Sequence, residues 1–148
     1  DIVYLNYFRE MKIAIINGPN LNLLGKREPG VYGSVSFEEF LPALRHKYAN
    51  LEISYYQSNV EGELINELQR AGFDCDGIVF NPGGYTHTSV AIGDAIAAIK
   101  APVEVHISNV HAREDFRKLS HVSAKAAGTI SGLGLRGYEL AIDWLLSH

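Results

Sequence analysis

With 148 residues, of which 47% are hydrophobic, the chain is long enough for one domain with a buried core and too short for two. Its 17 aspartates and glutamates outnumber 13 scattered lysines and arginines, which argues against a nucleic-acid-binding surface. No apolar run approaches the roughly 18 residues of a membrane span, and the first ten residues lack the features of a signal peptide. With Cys75 as the single cysteine, a reducing, cytoplasmic location is expected.

Short apolar runs alternate along the chain with segments in which apolar residues recur at helical spacing. Strands are predicted at residues 12–16, 51–56, 77–80, 103–107 and 128–131, each apolar on both faces. Helices are predicted within residues 37–44, 64–68, 90–99 and 138–145, with only a short helix in the more polar residues 110–119. Ser36 followed by Glu39 has the pattern of a capping box at the start of the first helix.

This alternation predicts an α/β fold with a parallel sheet covered on both sides. Right-handed crossovers then favour a flavodoxin-like, three-layer arrangement of five parallel strands in the order 2-1-3-4-5, with helices on both faces. We expect residues 11–148 to form this single domain and residues 1–10 to be an extension that precedes it. A ligand site is expected at the carboxyl ends of the strands, where the strand order reverses.

The longest irregular connection follows the first strand and reads NGPNLNLLGKREPGVYG from Asn17 to Gly33. Loops of this length in a compact domain are commonly binding loops or lids. This one contains Asn20, Arg27 and Tyr32. A single loop tyrosine is more often a packing residue and a single arginine more often solvated. Together, however, a cation beside a phenol can stabilise a phenolate, which is a strong base. We therefore expect a mobile lid that carries Arg27.

Polar side chains also follow the third and fourth strands. NPGGYTHTS begins with Asn81 and places His87 just before a helix, where His87 could bind a ligand or cap that helix. On the fourth strand, Glu104 and His106 share one face because side chains alternate along a strand. A carboxylate beside an imidazole can fix its tautomer or hold its proton. Central strands seldom carry an unpaired carboxylate, so a functional pair is favoured here.

Three more charged residues lie near these segments. Arg113 and Arg117 follow the fourth strand at helical spacing and suit an anionic substrate. Asp94 interrupts an otherwise apolar helix and is either solvated or placed at a subunit contact.

Two patterns suggest cofactors and are set aside. Gly132-Leu-Gly134-Leu-Arg-Gly137 matches GxGxxG after a strand, but no later strand is available for the acidic partner of a ribose. We interpret it as a tight turn between strand and helix. The spacing of the histidines and Glu104 fits no compact zinc pattern, and with one cysteine no metal site is expected.

Without a dinucleotide or a metal, the polar residues named above suit acid and base chemistry on an anionic, oxygen-rich small molecule. Proton abstraction next to a carbonyl needs a strong base, a group that stabilises the enolate and a separate acid. A free phenol has a pKa of about 10, so Tyr32 would need the charge of Arg27 to act as that base. His106, held by Glu104, could be the acid, and Asn20 could stabilise the enolate oxygen directly or through water.

Three motifs in this order, NGPNLNLLGKREPGVYG, NPGGYTHTSVA and VEVHISNVHAREDFRK, resemble the type II 3-dehydroquinate dehydratases, or type II dehydroquinases. The resemblance runs from about Met11 to the last helix. It implies a flavodoxin-like fold, no cofactor, and a hydro-lyase of the shikimate pathway, which makes aromatic amino acids. The reaction would be reversible anti elimination of water from 3-dehydroquinate to 3-dehydroshikimate through an enolate. A homododecamer built as a tetramer of trimers is also implied.

The resemblance also implies roles for individual residues. Tyr32 corresponds to the proton acceptor, Arg27 to the lid arginine that stabilises its phenolate, and His106 to the proton donor. Asn20 corresponds to the residue that orients a water near the enolate, and Glu104 to the partner of the acid.

Six further positions correspond to substrate-binding residues: Asn81, His87, Asp94, Ile107, Ser108 and Arg117. The backbone amides of Ile107 and Ser108 would face the substrate carboxylate. Asp94 would reach the substrate site of the neighbouring subunit in the trimer, which would explain an acid on an apolar helix.

Two departures from the family pattern and two alternative functions remain. Residues 1–10 have no recognised counterpart, and Gly93 stands where many relatives have a basic residue, which could alter the trimer contact. A flavodoxin-like domain that binds a small anion without catalysis would not need tyrosine and arginine on a mobile loop. A hydrolase would want a nucleophile elbow such as GxSxG, which the sequence lacks.

Overall fold

The computed structural model describes residues 10–26, 28, 30 and 33–148. The predictions for Arg27, Tyr32 and most of the N-terminal extension lie outside these residues. Five parallel strands form one sheet in the order β2-β1-β3-β4-β5, as predicted. They are β1 (Met11–Asn17), β2 (Leu51–Gln57), β3 (Gly77–Asn81), β4 (Val103–His106) and β5 (Gly128–Ser131). The α-helices with described bounds are α1 (Phe37–Lys47), α2 (Glu61–Asp74), α3 (Val90–Ala97) and α4 (Arg136–Leu146).

The helices cover the two faces of the sheet in pairs, which gives the predicted three layers. On one face, α1 and α4 bury residues such as Phe37 and Tyr138 against β1, β3 and β4. On the other face, α2 and α3 bury Leu64, Leu68 and Ile92 against the opposite side of β1 and β3. Successive strand residues alternate between these two cores because side chains alternate along a strand.

The edge strands differ from the expectation of burial on both faces. In β2, Leu51 and Ile53 are buried whereas Glu52 and Ser54 are exposed, and no residue of β5 is fully buried in the single chain. A strand at the edge of a sheet has one neighbour instead of two, so helices cover it less completely. The prediction of two buried faces holds for β1 from Ile13 onwards, for β3 and for β4.

The connections after β3 and β4 contain short 3-10 turns. Residues 110–119 form two of them, Val110–Ala112 and Asp115–Lys118, rather than one short helix. A third, Gly83–His87, follows β3. Of the predicted helix starts, Ser36 is confirmed as the cap of α1, since its hydroxyl oxygen accepts from Glu39 N at 3.2 Å.

The glycines of the GxGxxG segment form the tight turn between β5 and α4. Gly132 and Gly134 have φ of 89° and 61°, a region that favours glycine. Their N–H groups donate to the carbonyls of His106 and Ile107 at 3.2 and 3.1 Å. A Cβ on Gly137 would lie 3.2 Å from Val105. The turn therefore packs α4 against β4 and fixes the backbone just after that strand.

Candidate active site

An open cleft of about 660 Å³ lies at the carboxyl ends of β1, β3 and β4, where the strand order reverses. This is the location predicted from the fold. Seven of the predicted site residues line it: Asn20, Asn81, His87, His106, Ile107, Ser108 and Arg117. Arg113, which was considered for an anionic substrate, lines it as well.

The loops after β1 and β3 meet closely at this cleft. A Cβ on Gly18 would lie 2.4 Å from the carbonyl oxygen of Pro82, so any other residue would push the two loops apart. Gly18 N donates to the carbonyl of Asn81 at 2.7 Å. This contact brings Asn20 and Asn81 to the same rim of the cleft.

Glu104 and His106 form the pair that their spacing predicts. Nε2 of His106 lies 3.1 Å from Oε1 of Glu104. Since an ionised carboxylate can only accept, Nε2 carries the proton of this hydrogen bond. Nδ1 is then the ring nitrogen available for proton transfer to a ligand in the cleft.

Glu104 is completely buried, and four side chains donate to its two oxygens. Thr86 and His106 reach Oε1 at 3.2 and 3.1 Å. Ser123 and Thr129 reach Oε2 at 2.7 and 3.3 Å. Burial alone would raise the pKa of Glu104, but the hydrogen bond and charge of His106, with help from Ser123 and Thr86, outweigh it and lower the pKa below its ordinary value. Glu104 is therefore an ionised carboxylate, which can stabilise a positive charge on His106.

His87 lines the same cleft, and its ring centroid lies 6.4 Å from that of His106. Its Nδ1 lies 2.7 Å from the carbonyl oxygen of Leu119, which can only accept, so Nδ1 is protonated. Burial is the main cause that lowers its pKa, with the charges of His106 and Arg117 acting in the same direction. The alternative that His87 caps the next helix is wrong, because Ser89 accepts from Ile92 N at 2.9 Å. Neutral His87 can offer Nε2 as an acceptor to a substrate hydroxyl.

Asn20 is positioned by a residue that the sequence did not single out. Its φ is 70°, a left-handed conformation that asparagine tolerates better than most residues. Its backbone N–H donates to Oδ1 of Asn59 at 2.9 Å. Asn59 is itself held by Tyr85, whose hydroxyl donates to its carbonyl at 2.8 Å, and by Gln57 Nε2 at 3.2 Å. These contacts join the loop after β2 to the loop after β1.

A buried hydroxyl links the ends of β1 and β3. Tyr138 OH donates to Oδ1 of Asn17 at 2.7 Å and accepts from Nδ2 of Asn81 at 3.0 Å. The other end of the Asn81 amide accepts from Gly83 N at 3.1 Å. Tyr138, which the sequence indicated only as a core residue of α4, thus orients a side chain of the cleft.

Tyr138→Phe should destabilise the protein by about 1–3 kcal/mol, because it leaves Asn17 and Asn81 with buried groups that have lost a partner. Urea unfolding would measure the loss. Tyr48→Phe is the matched control: Tyr48 OH donates to Asp143, which is exposed and can turn to water instead. For Tyr48→Phe we expect a smaller loss of stability, and its ligand affinity should equal that of the wild type. Equal stability of Tyr138→Phe and wild type would contradict the role assigned to this hydroxyl.

Two guanidinium groups give the cleft a positive side. Arg113 Nη1 donates to Ser108 Oγ at 3.3 Å. Arg117 Nε lies 2.5 Å from Oε2 of Glu114, and its side chain is 21% exposed. The exposed Glu114 holds Arg117 at the cleft without burying its charge. This arrangement suits a ligand that carries a carboxylate.

Asp94 lies away from the cleft of its own chain. Its side chain is 71% exposed and pairs with Lys125 at 3.2 Å. The structure therefore does not bring Asp94 to the other predicted site residues, and its role in a neighbouring subunit stays a prediction. Next to it, a Cβ on Gly93 would lie 2.5 Å from the carbonyl oxygen of His121. A larger residue at this position would displace the segment that holds His87 and Glu104.

Among the described residues, no group of three or more His, Cys, Asp or Glu side chains is arranged to hold a metal ion. In the same part of the chain, no helix combines the length and apolar character needed to cross a membrane.

Comparison with known proteins identifies the family. The model of the family described as dehydroquinase class II matches residues 11–146. The 3-dehydroquinate dehydratase of Fusobacterium nucleatum subsp. nucleatum is 52% identical over 144 residues, covering 93% of this chain and 98% of that protein.

Solved structures agree with the sequence comparison. The type II dehydroquinase from Butyrivibrio crossotus is 48% identical and superposes with a TM-score of 0.88 over 93% of this chain and 98% of that chain. The type II dehydroquinase from Propionibacterium acnes is 39% identical and superposes with a TM-score of 0.88, covering 95% of this chain and 100% of that chain. The resemblance seen in the three sequence motifs is thus confirmed, and the chain belongs to the class II dehydroquinase family.

Proposed function

We propose that the protein is a 3-dehydroquinate dehydratase, which removes water from 3-dehydroquinate to give 3-dehydroshikimate. The observation that carries this proposal is the buried Glu104–His106 pair, which opens on a cleft with two arginines. A histidine held by a carboxylate can donate a proton to a leaving group when it is protonated, which is the acid that a dehydration needs, and the arginines suit the substrate carboxylate. Family membership supplies the choice of substrate, and the reaction's place is in the shikimate pathway.

In the proposed mechanism, a base first removes a proton next to the substrate ketone and gives an enolate. Tyr32 is the proposed base, and Arg27 stabilises its phenolate form. Asn20, fixed by Asn59, orients a water that donates to the enolate oxygen. His106 then protonates the leaving hydroxyl from Nδ1, while Glu104 holds Nε2. Anti elimination requires the base and the acid on opposite faces of the substrate ring, and the proposed acid lines the cleft.

Substrate binding is proposed to use other groups that line the cleft. The N–H groups of Ile107 and Ser108 and the guanidinium of Arg117 are proposed to hold the carboxylate. Asn81 and His87, which line the cleft, are proposed to bind ring hydroxyls. The elimination changes no oxidation state, so it needs no electron carrier, and the proposed enzyme uses no cofactor. Asp94 is proposed to act at the substrate site of a neighbouring subunit of its trimer, within a homododecamer built as a tetramer of trimers. We propose that the enzyme acts in the cytoplasm.

The test is to add 3-dehydroquinate and follow the ultraviolet absorbance of the conjugated enone of 3-dehydroshikimate. Steady growth of this absorbance above an enzyme-free control is expected. Folded protein that gives no signal would contradict the proposal and favour the alternative of an anion-binding domain without catalysis. In that case, calorimetry with 3-dehydroquinate distinguishes two explanations. An anion-binding domain would bind 3-dehydroquinate without converting it, whereas an enzyme with a different substrate would not bind it.

A further inference from the structure

The carboxylate of Glu104 has one oxygen turned toward the cleft partners and one turned away from them. Oε1 accepts from His106 and Thr86, while Oε2 accepts from Ser123 and Thr129. Ser123 provides the shortest of these four hydrogen bonds, at 2.7 Å. Ser123 Oγ also lies 3.4 Å from Oε1. The two hydroxyls on Oε2 do not line the cleft, and the sequence motifs do not include them.

We propose that Ser123, assisted by Thr129, is a positioning residue that keeps Glu104 ionised and thereby keeps the shared proton on His106. The proposal deepens the proposed function, on which its catalytic consequence rests. A fully buried carboxylate has no water to stabilise its charge, so its donors decide whether it stays ionised. Without the hydroxyl on Oε2, the proton between the two side chains moves toward Glu104. The neutral imidazole that results is a far weaker acid than an imidazolium.

None of the other charged groups described around His106 can take the place of Ser123 in keeping Glu104 ionised. His87 lies on the segment after β3, and its ring centroid is 6.4 Å from that of His106. Its Nδ1 is hydrogen-bonded to the carbonyl oxygen of Leu119 and not to Glu104. Arg113 and Arg117 come from the segment after β4; their charges oppose an imidazolium. From β5, the neighbour of β4, the group that reaches Glu104 is the uncharged hydroxyl of Thr129.

The fold around Ser123 does not depend on its hydroxyl. The backbone N–H groups of Val122 and Ser123 both donate to Ser120 Oγ, at 3.0 and 2.9 Å. Val122 is completely buried and anchors the segment in the core. The hydroxyl of Ser123 donates to Glu104, and the residue is otherwise exposed. Ser123→Ala should therefore fold normally and remove one hydrogen bond.

The experiment compares Ser123→Ala with Ser123→Thr, which keeps the hydroxyl. For Ser123→Ala we expect kcat to fall about fivefold to tenfold with KM changed by less than about twofold, the effect of losing one charge-assisted hydrogen bond. Ser123→Thr should restore kcat. Independently of turnover, an infrared titration should show the protonated carboxyl band of Glu104 appearing about one pH unit higher in Ser123→Ala. Glu104→Gln, which lacks the band, assigns it.

Wild-type kcat together with an unshifted carboxyl band in Ser123→Ala would overturn the proposal. Impairment of Ser123→Thr as severe as that of Ser123→Ala would overturn it too, since shape rather than the hydroxyl would then matter. If the wild-type protein fails to dehydrate 3-dehydroquinate, the proposed function is wrong. The infrared titration still decides whether Ser123 keeps Glu104 ionised in that case.

Discussion

Tyr32→Phe is expected to lower kcat by about 10³-fold, within the range of roughly 10² to 10⁴ that general base catalysis contributes. The dissociation constant of the substrate should change by less than about threefold, because the phenol is proposed to act on a C–H bond that offers no ground-state hydrogen bond. Single-turnover absorbance would give the rate, and calorimetry would give the affinity.

The reason for so large an effect lies in the acidity of the proton that must be removed. A proton next to a ketone is far less acidic than a carboxylic acid or an imidazolium, so a base stronger than a carboxylate or a neutral imidazole favours its removal. A phenolate has the necessary strength, since a phenol has a pKa of about 10, and a neighbouring guanidinium makes it available near neutral pH. Of the described residues that line the cleft, His87 and His106 carry the imidazoles, and His106 is already committed as the acid.

Tyr56→Phe is the matched control for this change. Tyr56 lies on β2, at the edge of the sheet, and its hydroxyl reaches Glu63 at 3.5 Å. The same oxygen is removed there without touching the cleft, and we expect wild-type kcat. If Tyr32→Phe retained the wild-type rate, another group would have to be the base, although the Glu104–His106 acid would be unaffected.

The sequence predicted most of the fold because the fold depends on local periodicity. Runs such as residues 12–16 and 77–80 are apolar on both faces, and only a strand between two helical layers buries such a run. The strand order followed from handedness and from the alternation of elements. The edge strands were mispredicted in their burial, since their own residues do not record how many neighbours a strand has.

Part of the site was predictable for a similar reason. Glu104 and His106 are two residues apart on one strand, so their contact is local and alternation alone predicts it. Asn59 and Ser123 were missed because each acts on a residue that is distant in sequence, Asn20 and Glu104 respectively. The separations are 39 and 19 residues, and neither hydrogen bond has a local sequence pattern. Only the folded chain brings such partners together.

The Glu104→Gln variant should keep the fold but lose about 10²-fold in kcat, with KM little changed. Glutamine has the shape of glutamate, and the hydroxyls of Ser123 and Thr129 can rotate to accept from its amide. The variant lacks the negative charge that favours imidazolium at His106. The acid is then neutral at the pH where the phenolate is formed, and the hydroxyl leaves without efficient protonation.

The same variant makes a pH-dependent prediction about stability. The pKa of Glu104 is lower in the folded protein than its ordinary value, so its ionisation contributes stability above the ordinary pKa. That contribution is lost as the pH falls through the lowered pKa. Wild-type Tm should therefore decline more steeply than that of Glu104→Gln as the pH falls below about 5, and the two curves should converge at lower pH.

Glu52→Gln provides the matched control, because Glu52 is exposed on β2 and removal of its charge should leave kcat and the slope of Tm against pH unchanged. Parallel Tm curves for wild type and Glu104→Gln would contradict the prediction, because they would mean that folding leaves the pKa of Glu104 unchanged. A wild-type Tm that instead rises relative to that of Glu104→Gln as the pH falls would mean that the carboxyl of Glu104 is kept protonated in the folded protein. His106 would then be neutral, and the imidazolium could not be the acid. The stability measurement thus tests the protonation state on which the catalytic proposal depends, without requiring substrate.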